Sequence, residues 1–363
     1  MFNMFAALLI ITFVVFAAIA WRDLRWGIFL ILAVLPSYLV RFSIGPIPFT
    51  LLEGLVLIAF GVWLVKIYDR EKFRAAVRGW EWPILVLFAA SIIGVFVAPN
   101  IFDALGVWKA YVVEPLLFAF VVRTTLSKKD TEPALRALGA AAILVSLFAI
   151  IQWFTRIGIP APWDIERRAT SFYDFPNAVG LFLGPITALA IVLISKKISR
   201  VFWTVVAVLG ALAIVAAQTE AAFVAIPASV FLVSLFYKKL RRYTIPLAAF
   251  GLLAALAITP VREKLTLQDY SGEVRRTQWS ETVQMLKDHP PFGAGLSGYP
   301  IAFEPYHHTD WVEIFQYPHN IFLNIWTELG LLGLLAFVLV FWRSHWLVSA
   351  SVRSKEGVSL MTT

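Results

Sequence analysis

The chain of 363 residues contains no cysteine. Disulfides, thiolate nucleophiles and cysteine metal sites are therefore excluded. Charge is also scarce. Asp, Glu, Lys and Arg make up 15% of the residues while 60% are hydrophobic, whereas soluble domains are about a quarter charged and about half apolar. A mean hydropathy of +0.78 rules out an ordinary soluble core and implies a polytopic membrane protein. A cleavable leader is not expected either. No basic segment precedes the first apolar stretch, and Trp21-Arg22-Asp23-Leu24-Arg25 follows it where a small-residue cleavage site would stand, so the stretch reads as a membrane helix. There is no fixed-period repeat or low-complexity tract. Nor are there the paired inverted halves with broken helices that a transporter should show.

What the chain does contain is a series of apolar runs. They lie at 4–20, 26–40, 50–65, 82–98, 106–122, 137–154, 178–194, 201–217, 221–237, 244–259 and 320–342, which gives about eleven helices. The expected fold is all-α, a polytopic transmembrane helical bundle forming one integral-membrane domain over 1–363. The second run is short enough to be tilted or partly re-entrant. The fifth carries Lys109, Glu114 and Pro115, so it should face protein, not lipid.

Charge sorts the loops. Alternate loops hold Arg22 and Arg25; Lys66, Arg70, Lys72, Arg74 and Arg78; Arg123, Lys128, Lys129 and Arg136; Lys196, Lys197 and Arg200; Lys238, Lys239, Arg241 and Arg242; and Arg343, Arg353 and Lys355. By the positive-inside rule these loops are cytoplasmic. The net charge of +8 is thus a topology signal, and no nucleic-acid partner is implied. The N-terminus lies outside, as do a first outer loop at 155–177 and a large, partly helical one at 260–319. Residues 343–363 form a cytoplasmic tail. This places the protein in the plasma membrane as a multi-pass chain.

The large outer loop is the longest polar segment. Glu273 to Asp288 lacks Gly and Pro, and Trp279, Val283 and Leu286 recur at helical spacing, so an amphipathic surface helix is expected. Pro290-Pro291 ends it. Gly293, Gly295 and Gly298 allow tight turns. Tyr299, Tyr306, Trp311 and Tyr317 follow, mixed with Glu304, Asp310 and Glu313. Rings with carboxylates suit sugars, and an aromatic belt at the bilayer surface is the competing reading. Arg275 and Arg276 stand on the side where arginine is disfavoured. A retained pair there points to an anionic ligand such as a lipid diphosphate, with interfacial anchoring as the alternative. Arg167 and Arg168 form a similar pair in the first outer loop.

His319 sits at the mouth of the last helix. Near neutral pH its imidazole could take a proton from an attacking hydroxyl, or it could simply hydrogen-bond at a helix start. Asn320 beside it could cap the helix or orient the ring. Glu220, in the outer turn Gln218-Thr219-Glu220, is either a functional carboxylate at membrane depth or a hydrated turn residue. The adjacent His307 and His308 have no spaced third ligand, so neither metal nor cofactor is assigned.

Three blocks resemble the bacterial O-antigen ligase and polymerase family. One is Arg275-x3-Trp279-x6-Leu286-Lys-Asp-His-Pro-Pro-Phe-Gly293-x-Gly295. The second is Tyr317-Pro318-His319-Asn320-x2-Leu323 with Glu328-Leu-Gly330-x2-Gly333. The third is Arg168-x2-Ser171-Phe172-x3-Pro176-Asn177-x2-Gly180. The resemblance implies a GT-C-type membrane glycosyltransferase without metal. Such an enzyme moves a glycan from undecaprenyl diphosphate to an acceptor hydroxyl on the outer face, the acceptor being a lipid, a glycan or a protein. It implies His319 as activator of the acceptor and Arg275 as holder of the donor diphosphate. Arg276, Arg168, Arg167, Glu220, Asn320, Trp279 and Tyr317 are further candidates for substrate binding. Many members carry a Ser-Arg-Gly-like turn where this chain has Gln218-Thr219-Glu220. The same residues fit an inverting ligase or a repeat-unit polymerase. A lipid-linked glycan transporter and a binding-only relative are the other classes considered.

Overall fold

The computed structural model describes residues 4–45, 47–195, 197–236, 238–309 and 311–361. Lys196 and Asp310, both invoked above, lie outside the described residues. Among the described residues six helices are long and apolar enough to cross a membrane: Met4–Arg22, Ile101–Thr125, Lys128–Thr155, Asn177–Ser195, Arg200–Ala217 and Ile321–Trp346. The bent pair Arg70–Val77 and Glu81–Val97 would add a seventh. The protein is thus helical and multi-pass in make-up. The runs at 26–40 and 221–237 give the shorter helices Leu24–Ala33 and Glu220–Ser234, so the expected eleven spans are not all reached by length and composition.

The second run shows why. Its helix, Leu24–Ala33, stops after 10 residues. Pro36, which has no N–H to donate, opens a tight turn at Leu35–Leu39. The chain then makes a small antiparallel hairpin of Arg41–Ile44 and Ile47–Thr50, with Arg41 opposite Thr50. An all-α reading does not anticipate this hairpin. Thr50 then caps the next helix, accepting from Glu53 N while Glu53 returns a bond to Thr50 N. In the fifth run the chain widens into a π turn at Lys109–Val113, just before Pro115 removes a donor.

The chain forms two compact units. Met1–Phe73 with Leu117–Thr244 makes the first. Its largest core joins Val145, Ala149, Leu183, Ala190, Trp203, Ala213 and Ile214 on three long helices. Small residues let these backbones approach: Gly180 leaves room for Thr219, and Gly210 for Thr187. Loops that the charge pattern assigns to one side do meet within this unit. Lys66 bonds the Trp21 carbonyl, Arg25 reaches Asp130, and Arg136 bonds Ser199. On the opposite side, Ala169 N donates to Ala216 O, tying the first outer loop to the turn at Gln218.

Arg74–Leu116 with Ile245–Thr363 makes the second unit. The sequence predicts one uninterrupted helix at 320–342, but the structure breaks it at Gly330, where φ is 67° and ψ −177°. Only glycine adopts such a conformation readily. In an unbroken helix the N–H of Leu331 would bond the Thr327 carbonyl. Instead Thr327 O accepts from Ala294 N at 2.7 Å, and Leu331 N donates to Pro291 O at 3.1 Å. The Pro290–Ser297 loop thus supplies the partners that the break leaves orphaned. Leu296 N also donates to Gly94 O. The backbone has φ of 66° at Gly293 and 77° at Gly295, and a side chain at either would collide with neighbouring backbone. These glycines serve close packing within the fold, the role their turn-forming character predicts. Beyond Trp342 the expected tail continues as helix to Met361.

Candidate functional site

The polar helix expected from Glu273 is present as Tyr270–Asp288, with Asp269 accepting from Gly272 N at its start. Its orientation corrects the periodicity argument. The buried face is Gln278, Glu281, Thr282, Met285 and Leu286, whereas Val283 is exposed and Trp279 only half buried. Polar residues point inward because partners await them. Thr282 Oγ1 lies 2.8 Å from Tyr299 Oη. Burial pushes the Tyr299 hydroxyl up to about 12, so at neutral pH it stays protonated and able to donate.

Two residues of this helix hold the strand that carries His319. Gln278 Nε2 donates to Tyr317 O at 3.0 Å, and Trp279 Nε1 donates to Pro318 O at 2.7 Å. His319 follows with φ of 49°, in the left-handed region. It is therefore not the first residue of the last helix. Asn320 caps that helix, its Oδ1 accepting from Phe322 N at 3.0 Å and Leu323 N at 3.2 Å. The imidazole of His319 packs against two rings. Phe315 and Tyr317 lie edge-on to it, with centroids at 4.8 and 4.7 Å.

The pKa of His319 lies below the ordinary imidazole value. Desolvation among these rings is the largest cause, and the positive charge of Arg275 adds to it. Glu313 opposes both. At neutral pH the ring is thus an unprotonated base. Arg275 and Arg276 are exposed, and among the described residues no hydrogen bond or ion pair holds either. Consecutive helical positions point about 100° apart. Arg275 acts on His319, while Arg276 lines a groove with Trp279. The pair expected to grip one ligand is split between two places.

The neighbouring histidines are spent otherwise. His307 Nδ1 faces Glu281 Oε2 at 3.2 Å, and its Nε2 faces Val312 O at 2.7 Å. Glu281 also accepts from His308 N and Thr309 Oγ1. Glu281 and Gln278 are the two residues that sequence reasoning missed. Their only signal was polarity recurring at the spacing of one helix turn.

The other candidates gather in the first unit. Arg168 Nε donates to Ala217 O at 3.2 Å, and its Nη2 to Asn177 Oδ1 at 3.1 Å and Gln218 O at 3.4 Å. Glu166 lies 3.5 Å from its Nη1, and the guanidinium covers the Trp163 ring. Arg168 is thus a structural clasp between the first outer loop and the turn that precedes Glu220. Arg167 has φ of 56° and an exposed side chain, and Glu220 opens its helix at the surface. Buried Gln152 braces this loop, bonding the backbones of Gly158, Thr170 and Ser171.

Residues 205–338 match the sequence model of the O-antigen ligase family. The matched stretch contains Glu220, Arg275, Trp279, Tyr317, His319 and Asn320, and it ends beyond the break at Gly330. Over these residues the chain is similar to the O-antigen ligase family, the family whose motifs it resembles. No curated protein and no solved structure matches it.

Proposed function

We propose that this protein is an inner-membrane glycosyltransferase that takes a glycan from undecaprenyl diphosphate and passes it to an acceptor hydroxyl on the outer face. What carries the reading is His319 with its pKa lowered in part by the charge of Arg275, an arginine that no hydrogen bond or ion pair holds among the described residues, inside the stretch that matches the ligase family. His319 takes the proton of the acceptor hydroxyl as its oxygen bonds to the anomeric carbon. The bond from that carbon to the phosphate oxygen breaks on the opposite face, so the configuration inverts. The electron pair leaves on the diphosphate, where Arg275 meets the growing negative charge. No step calls for a metal. The spans beyond the six long helices, the outward orientation of 155–177 and 260–319, and a cytoplasmic C-terminus belong to the same proposal.

The test is transfer in liposomes supplied with undecaprenyl-diphosphate glycans, with and without EDTA. Wild type should release undecaprenyl diphosphate in both conditions, and His319→Ala should not. A single added glycan would mark a ligase and a ladder of sizes a polymerase. If labelled donor crosses the bilayer with no diphosphate released, the chain is a transporter and the proposal is wrong.

A further inference from the structure

The exposed face of helix Tyr270–Asp288 forms a groove of about 410 Å³ lined by Arg276, Trp279, Ser280, Val283, Gln284 and Lys287. These positions follow one another by three or four residues, so they make one stripe along the helix. Resting on the transferase reading above, we infer that this stripe is the subsite for an acidic oligosaccharide, one whose sugars carry carboxylate or phosphate. The substrate glycan would lie along it.

Four features carry the inference. The stripe has a cation at each end and no acidic side chain in its lining among the described residues. Neither Arg276 nor Lys287 has an ion-pair partner there, so both charges remain available. Between them stands a half-buried indole whose N–H is already committed to Pro318 O at 2.7 Å. That bond fixes the ring and leaves its face for an apolar sugar face. Finally, the carbonyl that holds the ring belongs to the residue before His319. Trp279 is thus tied to the residue that precedes the base in the chain. The stripe runs over eleven residue steps, roughly 16 Å of helix, which accommodates several rings.

The experiment is calorimetric binding to the full chain in phosphatidylcholine nanodiscs. The probes are hexagalacturonate, pentamannose phosphate and neutral maltohexaose. At least one acidic probe should bind, at least tenfold more tightly than maltohexaose, and more weakly as salt rises. Arg276→Gln and Lys287→Gln should each lower that affinity on the order of tenfold, with the chain's thermal unfolding unchanged. Trp279→Phe, which keeps a ring, should retain more binding than Trp279→Ala. The inference is overturned if no probe binds, if neutral and acidic probes bind alike, or if both charge variants bind as wild type. It is equally overturned if phosphatidylglycerol nanodiscs abolish all probe binding and the variants alter only lipid retention, which would make the stripe a lipid contact. Binding without any diphosphate release in the transfer assay would sink the transferase reading and leave the groove standing. Release that the groove variants do not change, with no probe bound, would sink the groove alone.

Discussion

Two arginine-bearing polar segments look alike in the sequence and differ in what the fold asks of them. In the first, Arg168 is used up. Two backbone carbonyls, Asn177, Glu166 and the Trp163 ring surround it. In the second, Arg275 and Arg276 have no such partners, and the polar groups that brace the segment come from Gln278, Trp279 and Glu281. A guanidinium that closes backbone bonds stabilises a loop, and one left without protein partners can receive a ligand. The same residue type therefore carries structure in one region and is left open to a ligand in the other.

Substitutions test that division, and the largest effect belongs to the second region. His319→Ala should lower glycan transfer by about 10²–10⁴-fold, the usual contribution of a positioned general base, while the thermal midpoint stays near that of wild type. Arg275→Ala should follow at about 10²-fold, the scale of removing one donor to a developing oxyanion. In both variants the readout is undecaprenyl diphosphate release. If either variant unfolds at a clearly lower temperature, the residue is structural and the contrast between the regions collapses.

Arg168→Ala should show the opposite signature. It removes several charge-assisted bonds and leaves the carbonyls of Ala217 and Gln218 without that donor. A loss of about 2–3 kcal/mol in stability is expected, seen as a lower midpoint in detergent. Transfer per folded molecule should fall far less than with Arg275→Ala. A variant as stable as wild type but inactive would move Arg168 into the catalytic machinery.

Gly330→Ala sharpens the comparison within the second unit. It should destabilise by about 1–3 kcal/mol, since a side chain there has both a strained φ and a collision with the Pro291 carbonyl. Slower transfer is expected as a consequence, because the loop after Pro290 is stitched to the break. Unchanged thermal stability would show that the last helix is continuous.

Much of this was legible in the chain and part was not, for physical reasons. Runs of apolar residues mark spans because a membrane admits little else, and Glu273 to Asp288 reads as helix because nothing in it breaks one. The break at Gly330 is invisible in the sequence. Glycine in an apolar run carries no mark of its φ, and the acceptors that compensate the break lie some forty residues upstream at Pro291. The face of helix Tyr270–Asp288 was misread for a related reason. Periodicity assigns the apolar side to the interior, but Gln278, Glu281 and Thr282 find their partners in residues 299–317, and no local pattern shows that. His319, Arg275 and Asn320 were legible as types and spacings. The pivot at His319 was not, because histidine does not advertise a left-handed backbone.

The finest test uses the charges around His319. The reaction needs the neutral ring, so transfer should fail as pH drops through the His319 pKa, and desolvation by the flanking rings with Arg275 nearby sets that acid limb below the ordinary 6.5. Glu313 is the one neighbour that raises the value. It is exposed and makes no bond to the ring, so Glu313→Gln should leave the maximal rate almost unchanged. Removing its negative charge takes away support for the imidazolium, so the acid limb should shift to still lower pH, and high salt should shrink the difference from wild type. A limb that moves upward, or one that stays put while His319→Ala remains inactive, would mean that the titrating base is not this histidine. The acid limb would then belong to another group, and the second region would hold the donor without supplying the proton acceptor.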